Sequence, residues 1–81
     1  MLLSIIIAVY NERNTVLKLL DKIEDLSDIK KEVIIVDDAS NDGTKEILKN
    51  LNKSNYKILF HEKNKGKGGA IKTGKLYVTG E

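Results

Sequence analysis

The sequence of 81 residues contains neither cysteine nor proline. Without cysteine the chain forms no disulfide, and it offers no thiolate to a metal ion, so disulfide-stabilised scaffolds and thiolate metal sites are excluded. The absence of cysteine fits a reducing compartment. No low-complexity segment or internal linker interrupts the chain, and a chain of this length forms one domain at most.

The chain also has little excess of one charge. Lysine and arginine total 14 against 12 aspartate and glutamate, a net charge of +2 at pH 7, which is too small to indicate a nucleic-acid surface. We therefore expect no nucleic-acid partner. The basic residues are unevenly placed, because half of them lie in the last third of the chain beside only two acids, Glu62 and Glu81. These seven are Lys53, Lys57, Lys63, Lys65, Lys67, Lys72 and Lys75.

No hydrophobic run is long. The opening apolar stretch, residues 2–9, is far too short to span a bilayer. It also lacks the basic flank and the small-residue cleavage site of a signal peptide. We interpret it as a buried strand and expect no membrane segment in this chain.

Strand and helix patterns alternate three times along the chain. Apolar runs predict strands at residues 3–9, 32–37 and 56–61. Helical periodicity predicts a first helix capped by Asn14 or Thr15, a second at residues 44–51 and a third at about 68–78. The apolar residues expected to face inward are Val16, Leu19, Leu20, Ile23 and Leu26 in the first helix, and Ile47, Leu48 and Leu51 in the second. The pattern predicts an α/β fold, a three-layer, Rossmann-like parallel sheet with right-handed crossovers.

The end of the chain has the pattern of a helix exit that leads toward a fourth strand. In the common doubly wound order the fourth strand pairs with the first, on the side away from the second. Residues 3–9 are then left as an open apolar edge, which natural domains avoid because it promotes aggregation. We therefore expect residues 1–81 to be the N-terminal part of a larger domain.

Polar residues follow each predicted strand, where open α/β sheets bind their ligands. After the first strand, Tyr10 can stack on a base, and Glu12 can accept hydrogen bonds from a ribose or a base. The alternative is that Tyr10 packs against the protein while Glu12 stabilises the helix N-terminus through the helix dipole.

The second strand ends in two adjacent carboxylates, Asp37 and Asp38. Because like charges repel, both need hydrogen-bond donors, which a nucleobase edge or ribose hydroxyls supply. One aspartate can serve the ligand while the other holds the loop. A purely structural alternative, an Asx-turn and helix-cap cluster, accounts well for residues 40–44 but poorly for the two aspartates, since a charge that ends a buried strand costs desolvation.

The third strand is followed by a segment rich in lysine and glycine. Glycines that open a helix expose backbone N–H groups, and the lysines add positive charge, so the segment favours a phosphate. It is not a Walker A loop, because Ile71 stands where a glycine is required before Lys72, and it is not a dinucleotide fingerprint, which follows a first strand. His61 has no serine or cysteine nucleophile arranged for it, and we interpret it as a strand-end residue that bonds to a neighbour.

Three segments together resemble the family-2 glycosyltransferases, especially the dolichyl- and polyprenyl-phosphate sugar transferases. They are residues 8–12 (AVYNE), 36–44 (VDDASNDGT) and 64–70 (NKGKGGA), each at a predicted strand exit. The resemblance implies a glycosyltransferase A fold and a nucleotide-diphosphate sugar donor. It implies Tyr10 and Glu12 near the base and ribose, Asp37 or Asp38 on the base edge, and Lys67 with its glycines near the phosphates. The donor-binding residues expected on this basis are Ala8, Tyr10, Glu12, Asp37, Asp38, Gly66, Lys67 and Gly68.

The sequence departs from the family pattern at two positions and lacks one motif. Ala8 stands where the family usually has proline, and Ala39 where it often has glycine. The family's Asp-x-Asp motif, which holds Mg²⁺ or Mn²⁺, is expected beyond residue 81, as are the catalytic base and the acceptor site. The resemblance implies transfer of a sugar from a GDP- or UDP-sugar to a lipid phosphate, such as polyprenyl phosphate, or to another hydroxyl acceptor. We expect these 81 residues alone to be inactive and the protein to be cytoplasmic or at the cytoplasmic face of a membrane.

Two other interpretations remain open from the sequence. The acidic strand end of residues 34–38 also resembles a response-regulator receiver, a regulatory module without enzymatic activity. In receivers, however, the acidic pair ends the first strand, and a phospho-acceptor aspartate ends the third, where His61 stands here. The other alternative is a complete small nucleotide-binding protein.

Overall fold

The computed structural model describes residues 2–26, 29–51 and 55–79, which form a parallel three-stranded sheet with helices on both faces. Strands and helices alternate in the predicted order: β1 (Leu3–Val9), α1 (Val16–Glu24), β2 (Lys31–Asp37), α2 (Thr44–Lys49), β3 (Tyr56–Phe60) and α3 (Gly66–Lys75). The strand order is β1-β2-β3, and Asp37 is paired with Val9 on one side and Phe60 on the other. The carboxyl ends of all three strands therefore lie side by side. The predicted α/β class and three-layer arrangement are confirmed.

The central strand β2 is buried on both faces, which explains its continuous apolar run. On one face, Val33 and Ile35 pack with apolar residues of α1 and α2. On the other, Ile34 and Val36 pack against Ala70 of α3. The alternation of side chains along one strand thus supplies both core layers.

Helix α1 differs from its prediction in two respects. Leu19 and Leu26, expected to face inward, are 42% and 41% exposed. Leu19 lies near the edge strand β1, where the described residues cover only part of it. Leu26 lies two residues beyond Glu24, the last residue of the helix, so it is off the helical face. Thr15 occupies the N-cap position, but its hydroxyl donates to the Glu12 carboxylate rather than accepting from a helix amide, so the predicted side-chain cap is wrong.

Other element ends shift by one to three residues. Strand β2 starts at Lys31, because this residue pairs with Leu3. Helix α2 ends at Lys49 rather than at residue 51. Helix α3 starts two residues before the predicted position, at Gly66, and ends at Lys75, after which single turns continue to residue 78. The fold of the chain is unaffected by these differences.

Strand β1 lies at an edge of the sheet. Within the described residues it pairs with β2 only, as expected if a further strand of a larger domain pairs with its other side. That these residues belong to a larger domain stays a prediction. No helix within residues 2–26, 29–51 and 55–79 combines the length and apolar character needed to cross a bilayer.

Gly74 allows α3 to approach the sheet closely. A Cβ at this position would come within 2.6 Å of Ile6 Cγ2 and 3.4 Å of Val36 Cγ2. We therefore expect Gly74→Ala to lower the free energy of unfolding by about 1–3 kcal/mol, the usual range for overpacking, despite the better helix propensity of alanine. Chemical denaturation measures this.

Gly68 provides the matched control for Gly74 on the same helix. Apart from its two chain neighbours and the nearby backbone of its own helix, no described atom lies within 4 Å of a Cβ built there. Gly68→Ala should raise the free energy of unfolding by up to about 1 kcal/mol through helix propensity alone. Equal effects of the two substitutions would contradict the close packing of α3 on the sheet.

Candidate functional site

A cavity opens at the carboxyl ends of the strands, with a volume of about 450 Å³. All three loops predicted to converge contribute to its wall. It is lined by Ala8, Val9, Tyr10, Glu12, Asp38, Asn64, Gly66 and Lys67. Six of the eight residues expected to bind the donor are in this set, so segments distant in the sequence do meet around one space. Their binding role stays a prediction.

Two of the expected residues lie outside the cavity wall, and two lining residues were not expected. Asp37 is fully buried behind the wall, and Gly68 lies further along α3. Val9 and Asn64 line the cavity instead. Val9 is the last residue of β1, between Ala8 and Tyr10, and Asn64 is the first residue of the lysine-glycine segment. Both residues could have been predicted to line the cavity from their positions within the two motifs.

Side chains of the second loop hold the backbone of the first. Three backbone amides of the first loop donate to side chains of the second: Asn11 to Ser40 Oγ (2.8 Å), Glu12 to Thr44 Oγ1 (2.9 Å) and Arg13 to Asp42 Oδ2 (3.2 Å). A fourth hydrogen bond runs in the other direction, from the amide of Asn41 to Asn11 Oδ1 (2.9 Å). Because the bonds fall on successive residues, they fix the path of residues 11–13. Tyr10 and Glu12 are thereby placed at the cavity by the loop of another strand.

Asp42 also shapes its own loop, as the structural interpretation of residues 40–44 predicted. Its Oδ1 accepts from the amide of Thr44 at 3.0 Å and from the Thr44 hydroxyl, forming an Asx-turn at the start of α2. The Thr44 hydroxyl and the amides of Thr44 and Arg13 outweigh desolvation and hold the pKa of Asp42 below its usual value. Residues 40–44 therefore serve the turn and the contact with the first loop at once.

Asp38 is the most connected carboxylate of the site. Its Oδ1 accepts from the amide of Lys65 and lies 2.8 Å from His61 Nδ1, while its Oδ2 accepts from the amide of Gly66 at 2.8 Å. Its own amide donates to the carbonyl of Val9. Burial raises the pKa of this carboxyl group, but the bonds from His61, Lys65 and Gly66 together lower it below the usual value. Asp38 thus connects all three strand ends.

The role of Asp38 changes the prediction for α3. The amides at a helix start were expected to be open to a phosphate, yet those of Lys65 and Gly66 are taken by the Asp38 carboxylate. Asp38 acts as a helix cap from a distant part of the chain, which explains why α3 begins at Gly66 and not at Gly68. Only the amides that follow in the first turn remain for a ligand.

Asp37 is fully buried and only partly satisfied. Its Oδ2 accepts from the amide of Ser40 at 3.1 Å, whereas its Oδ1 has no hydrogen-bond partner among the described residues. A buried carboxylate oxygen without a donor costs free energy of folding. The two aspartates are therefore distinguished by the structure: Asp38 is saturated by protein donors, and Asp37 retains an acceptor.

Glu12 lies between the first cavity and a smaller one of about 290 Å³ beside β1. The smaller cavity is lined by Ala8, Val9, Glu12, Thr15, Val16 and Leu19, most of them apolar. The carboxylate of Glu12 accepts from the Thr15 hydroxyl, which holds it at the start of α1. Glu12 is therefore bonded to the N-cap residue of α1 and also lines the cavity, whereas the first turn of the helix itself contains no acidic residue.

Ala39 adopts a backbone conformation that favours glycine. Its φ is +65°, in the left-handed region. A residue with a Cβ in this region costs about 1–2 kcal/mol. The departure from the family pattern at this position is thus accommodated with strain in the loop that follows the two aspartates.

The described residues do not fit a metal ion. Among them, no three histidine, aspartate or glutamate side chains are grouped so that they could hold one. The carboxylates nearest the cavity are engaged as well, since Asp38 and Glu12 already accept hydrogen bonds from the protein. The expectation that Mg²⁺ or Mn²⁺ is held by residues beyond 81 stays a prediction.

Comparison with known proteins shows which proteins this chain is similar to. The family model described as "Glycosyl transferase family 2" matches residues 4–81. A dolichyl-phosphate beta-glucosyltransferase of Trichomonas vaginalis is 38% identical over 98% of this chain and 28% of its own length. A dolichyl-phosphate beta-glucosyltransferase of Saccharomyces cerevisiae is 37% identical over 98% of this chain and 27% of its own length. A poly-beta-1,6-N-acetyl-D-glucosamine synthase of Staphylococcus epidermidis is 37% identical over 89% of this chain and 18% of its own length. The chain thus spans less than a third of the length of these relatives.

The lowered pKa of Asp38 makes a prediction about acid stability. Because the folded-state pKa lies below 3.8, the carboxylate stabilises the fold above that pH, and this contribution is lost as the pH falls through the folded-state pKa. We expect Asp38→Asn to lower the free energy of unfolding at pH 7 by about 2 kcal/mol and to flatten its decline below pH 4. Urea unfolding measured from pH 7 to 2.5 tests this. An unchanged decline in the variant would contradict it.

Proposed function

The chain belongs to glycosyl transferase family 2, and on that premise we propose that it is the donor-binding part of an enzyme that transfers a sugar from a GDP- or UDP-sugar to a lipid phosphate. The observation that carries the proposal is the convergence of three family segments on one cavity. Its volume of about 450 Å³ is within the usual range of small-molecule sites. The wall combines an aromatic ring, a carboxylate and a lysine, which suit the base, the ribose and the phosphates of one nucleotide.

The groups that meet the base and ribose are proposed on one side of the cavity. Tyr10 is half exposed at the exit of β1, so its ring face is available to stack on a base. Glu12 beside it accepts ribose hydroxyls. Asp37 is the aspartate proposed for the base edge, because its Oδ1 has no donor within the described residues. Its side chain is fully buried behind the cavity wall, so it must turn toward the cavity to accept from a base N–H.

The phosphates are proposed to meet the start of α3. Lys67 is the lysine that lines the cavity. The amides of Lys67 and Gly68 belong to the first turn of α3, where N–H groups have no acceptor within the helix. With Lys65 and Gly66 engaged by Asp38, these two amides and the Lys67 ammonium are the donors for a diphosphate.

A lipid-phosphate acceptor is proposed from the relatives, two of which are dolichyl-phosphate glucosyltransferases. A hydroxyl acceptor on a growing polysaccharide is the second candidate, because a poly-beta-1,6-N-acetyl-D-glucosamine synthase has a sequence identity to this chain similar to that of the two glucosyltransferases. The receiver interpretation is disfavoured, because the acidic pair stands at the end of the second strand rather than the first, and His61, not a phospho-acceptor aspartate, follows the third strand. A divalent metal and a position in the cytoplasm or at the cytoplasmic face of a membrane belong to this proposal.

The activity is tested with the protein that carries this chain. Incubated with Mg²⁺ or Mn²⁺, polyprenyl phosphate and a panel of GDP- and UDP-sugars, it should release nucleoside diphosphate and form a glycosylated lipid. Mass spectrometry of the lipid and a coupled assay of the nucleotide measure both products. Release of nucleotide only with an oligosaccharide acceptor would select the second candidate, and no release across the panel would reject the proposal.

Lys67 offers a sharper test of nucleotide binding. Lys67→Gln should weaken the affinity of the chain for UDP or GDP by about tenfold to a hundredfold, because hydrogen bonds to charged groups contribute about 1.5–3 kcal/mol. Lys72→Gln removes the same charge from an exposed position of α3 outside the cavity and should change the affinity by less than about twofold. Isothermal titration calorimetry compares the two. Equal effects would show that only overall charge matters.

A further inference from the structure

His61 bridges the sheet and α3 behind the wall of the cavity. It follows β3, and its side chain is only 7% exposed. Its Nδ1 lies 2.8 Å from Asp38 Oδ1, and its Nε2 lies 2.9 Å from Thr73 Oγ1 on α3. Its amide also donates to the carbonyl of Asp37. Both ring nitrogens are therefore used, as predicted for a strand-end residue, although His61 itself does not line the cavity.

The hydrogen bonds define where the ring carries its protons. Asp38 is an ionised acceptor, so Nδ1 must donate to it. The Thr73 hydroxyl has one proton and two neighbouring acceptors, His61 Nε2 and the carbonyl of Gly69 at 3.1 Å. When the ring is neutral, Nε2 accepts the proton of the Thr73 hydroxyl. When the ring is charged, Nε2 donates to Thr73 Oγ1, and the hydroxyl proton of Thr73 is donated to the carbonyl of Gly69. The bond from Nδ1 to Asp38 is present in both states.

That bond restricts the Asp38 carboxylate. The terminal torsion of an aspartate has a broad energy minimum, so its plane is set by its partners. Asp38 Oδ1 receives His61 and the Lys65 amide, and Oδ2 receives the Gly66 amide. Without His61, Oδ1 keeps only the Lys65 amide, so one of the three bonds that set the plane is lost. The carboxylate that anchors the start of α3, which begins at Gly66 with a φ of +79°, is then oriented by those two amides alone.

We propose that His61 is a positioning residue for the donor site: by donating from Nδ1 to Asp38 it fixes the carboxylate that holds the first turn of α3, and with it Lys67, at the cavity. The inference rests on the proposed function, since it concerns binding of a nucleotide diphosphate. His61 acts through Asp38 and does not contact the ligand.

Two polar substitutions distinguish the roles of the two ring nitrogens of His61. In His61→Asn the side-chain amide nitrogen replaces Nδ1 and keeps the bond to Asp38, whereas in His61→Gln it replaces Nε2 and keeps only the bond to Thr73. We expect the affinity for UDP or GDP to fall by about tenfold in His61→Gln, the size of one charge-assisted hydrogen bond, and to stay within about twofold of the unsubstituted chain in His61→Asn. Isothermal titration calorimetry gives both values.

Hydrogen exchange provides a second measurement. If His61 only stabilised the fold, the amide exchange rates would be equal in the two variants. Exchange of the Lys65 and Gly66 amides should accelerate at least about tenfold in His61→Gln and remain unchanged in His61→Asn. Equal affinities and equal exchange in the two folded variants overturn the proposal. Should His61→Gln fail to fold, His61→Asn decides, because a tenfold loss of affinity in it overturns the proposal and a loss under twofold supports it.

The two proposals fail in different ways. If the unsubstituted chain binds neither UDP nor GDP, the proposed function fails, and the role of His61 fails with it. If that chain binds a nucleotide and His61→Gln binds it equally well, only the positioning role of His61 is rejected.

Discussion

The carboxylate of Asp38 is the interaction on which the arrangement of this site depends. It lies at the end of the buried central strand and accepts from His61 after β3 and from two amides at the start of α3. Its amide holds the end of β1 through Val9. One residue therefore sets the relative positions of all three strand exits. The desolvation of a buried charge is offset here by three donors, which is why its pKa is lowered despite burial.

The other loops follow the same principle, with side chains of one segment bonded to the backbone of another. Ser40, Asp42 and Thr44 accept from consecutive amides of the first loop, and Asn64 donates to the carbonyl of Asp38. Backbone groups in loops must find partners, and here those partners come from the neighbouring strand end. The cavity is thus enclosed by loops that cannot move independently, although each is irregular by itself. Tyr10, Glu12 and Lys67 line the cavity, and of these three Glu12 also bonds to the neighbouring loop and to the start of α1.

Most of the fold was predictable because its signals are local. Continuous apolar strands and periodic helices gave six elements in the correct order, and the convergence of three loops followed from parallel topology. The errors have a common cause in tertiary contacts. Leu19 was expected inward from periodicity, but full burial requires neighbours on all sides, and the described residues leave it 42% exposed. Thr15 was expected to cap α1, yet the Glu12 carboxylate is a closer partner for its hydroxyl. The membership in a glycosyltransferase family was visible in the same motifs and is confirmed by the family match.

The sequence by itself determined which residues could form a nucleotide site, since aromatic, acidic and lysine-glycine segments each follow an apolar strand, and parallel strands bring their ends together. Only the tertiary structure decided which of these residues bond to other parts of the protein and which keep groups that a ligand can bind. Two adjacent aspartates are equivalent in a sequence, but alternate side chains of a strand point to opposite faces. Asp38 therefore meets His61 and α3, while Asp37 stays buried with one oxygen unpaired among the described residues. The partners that saturate a carboxylate come from residues more than 20 positions away, and no local pattern encodes that distance.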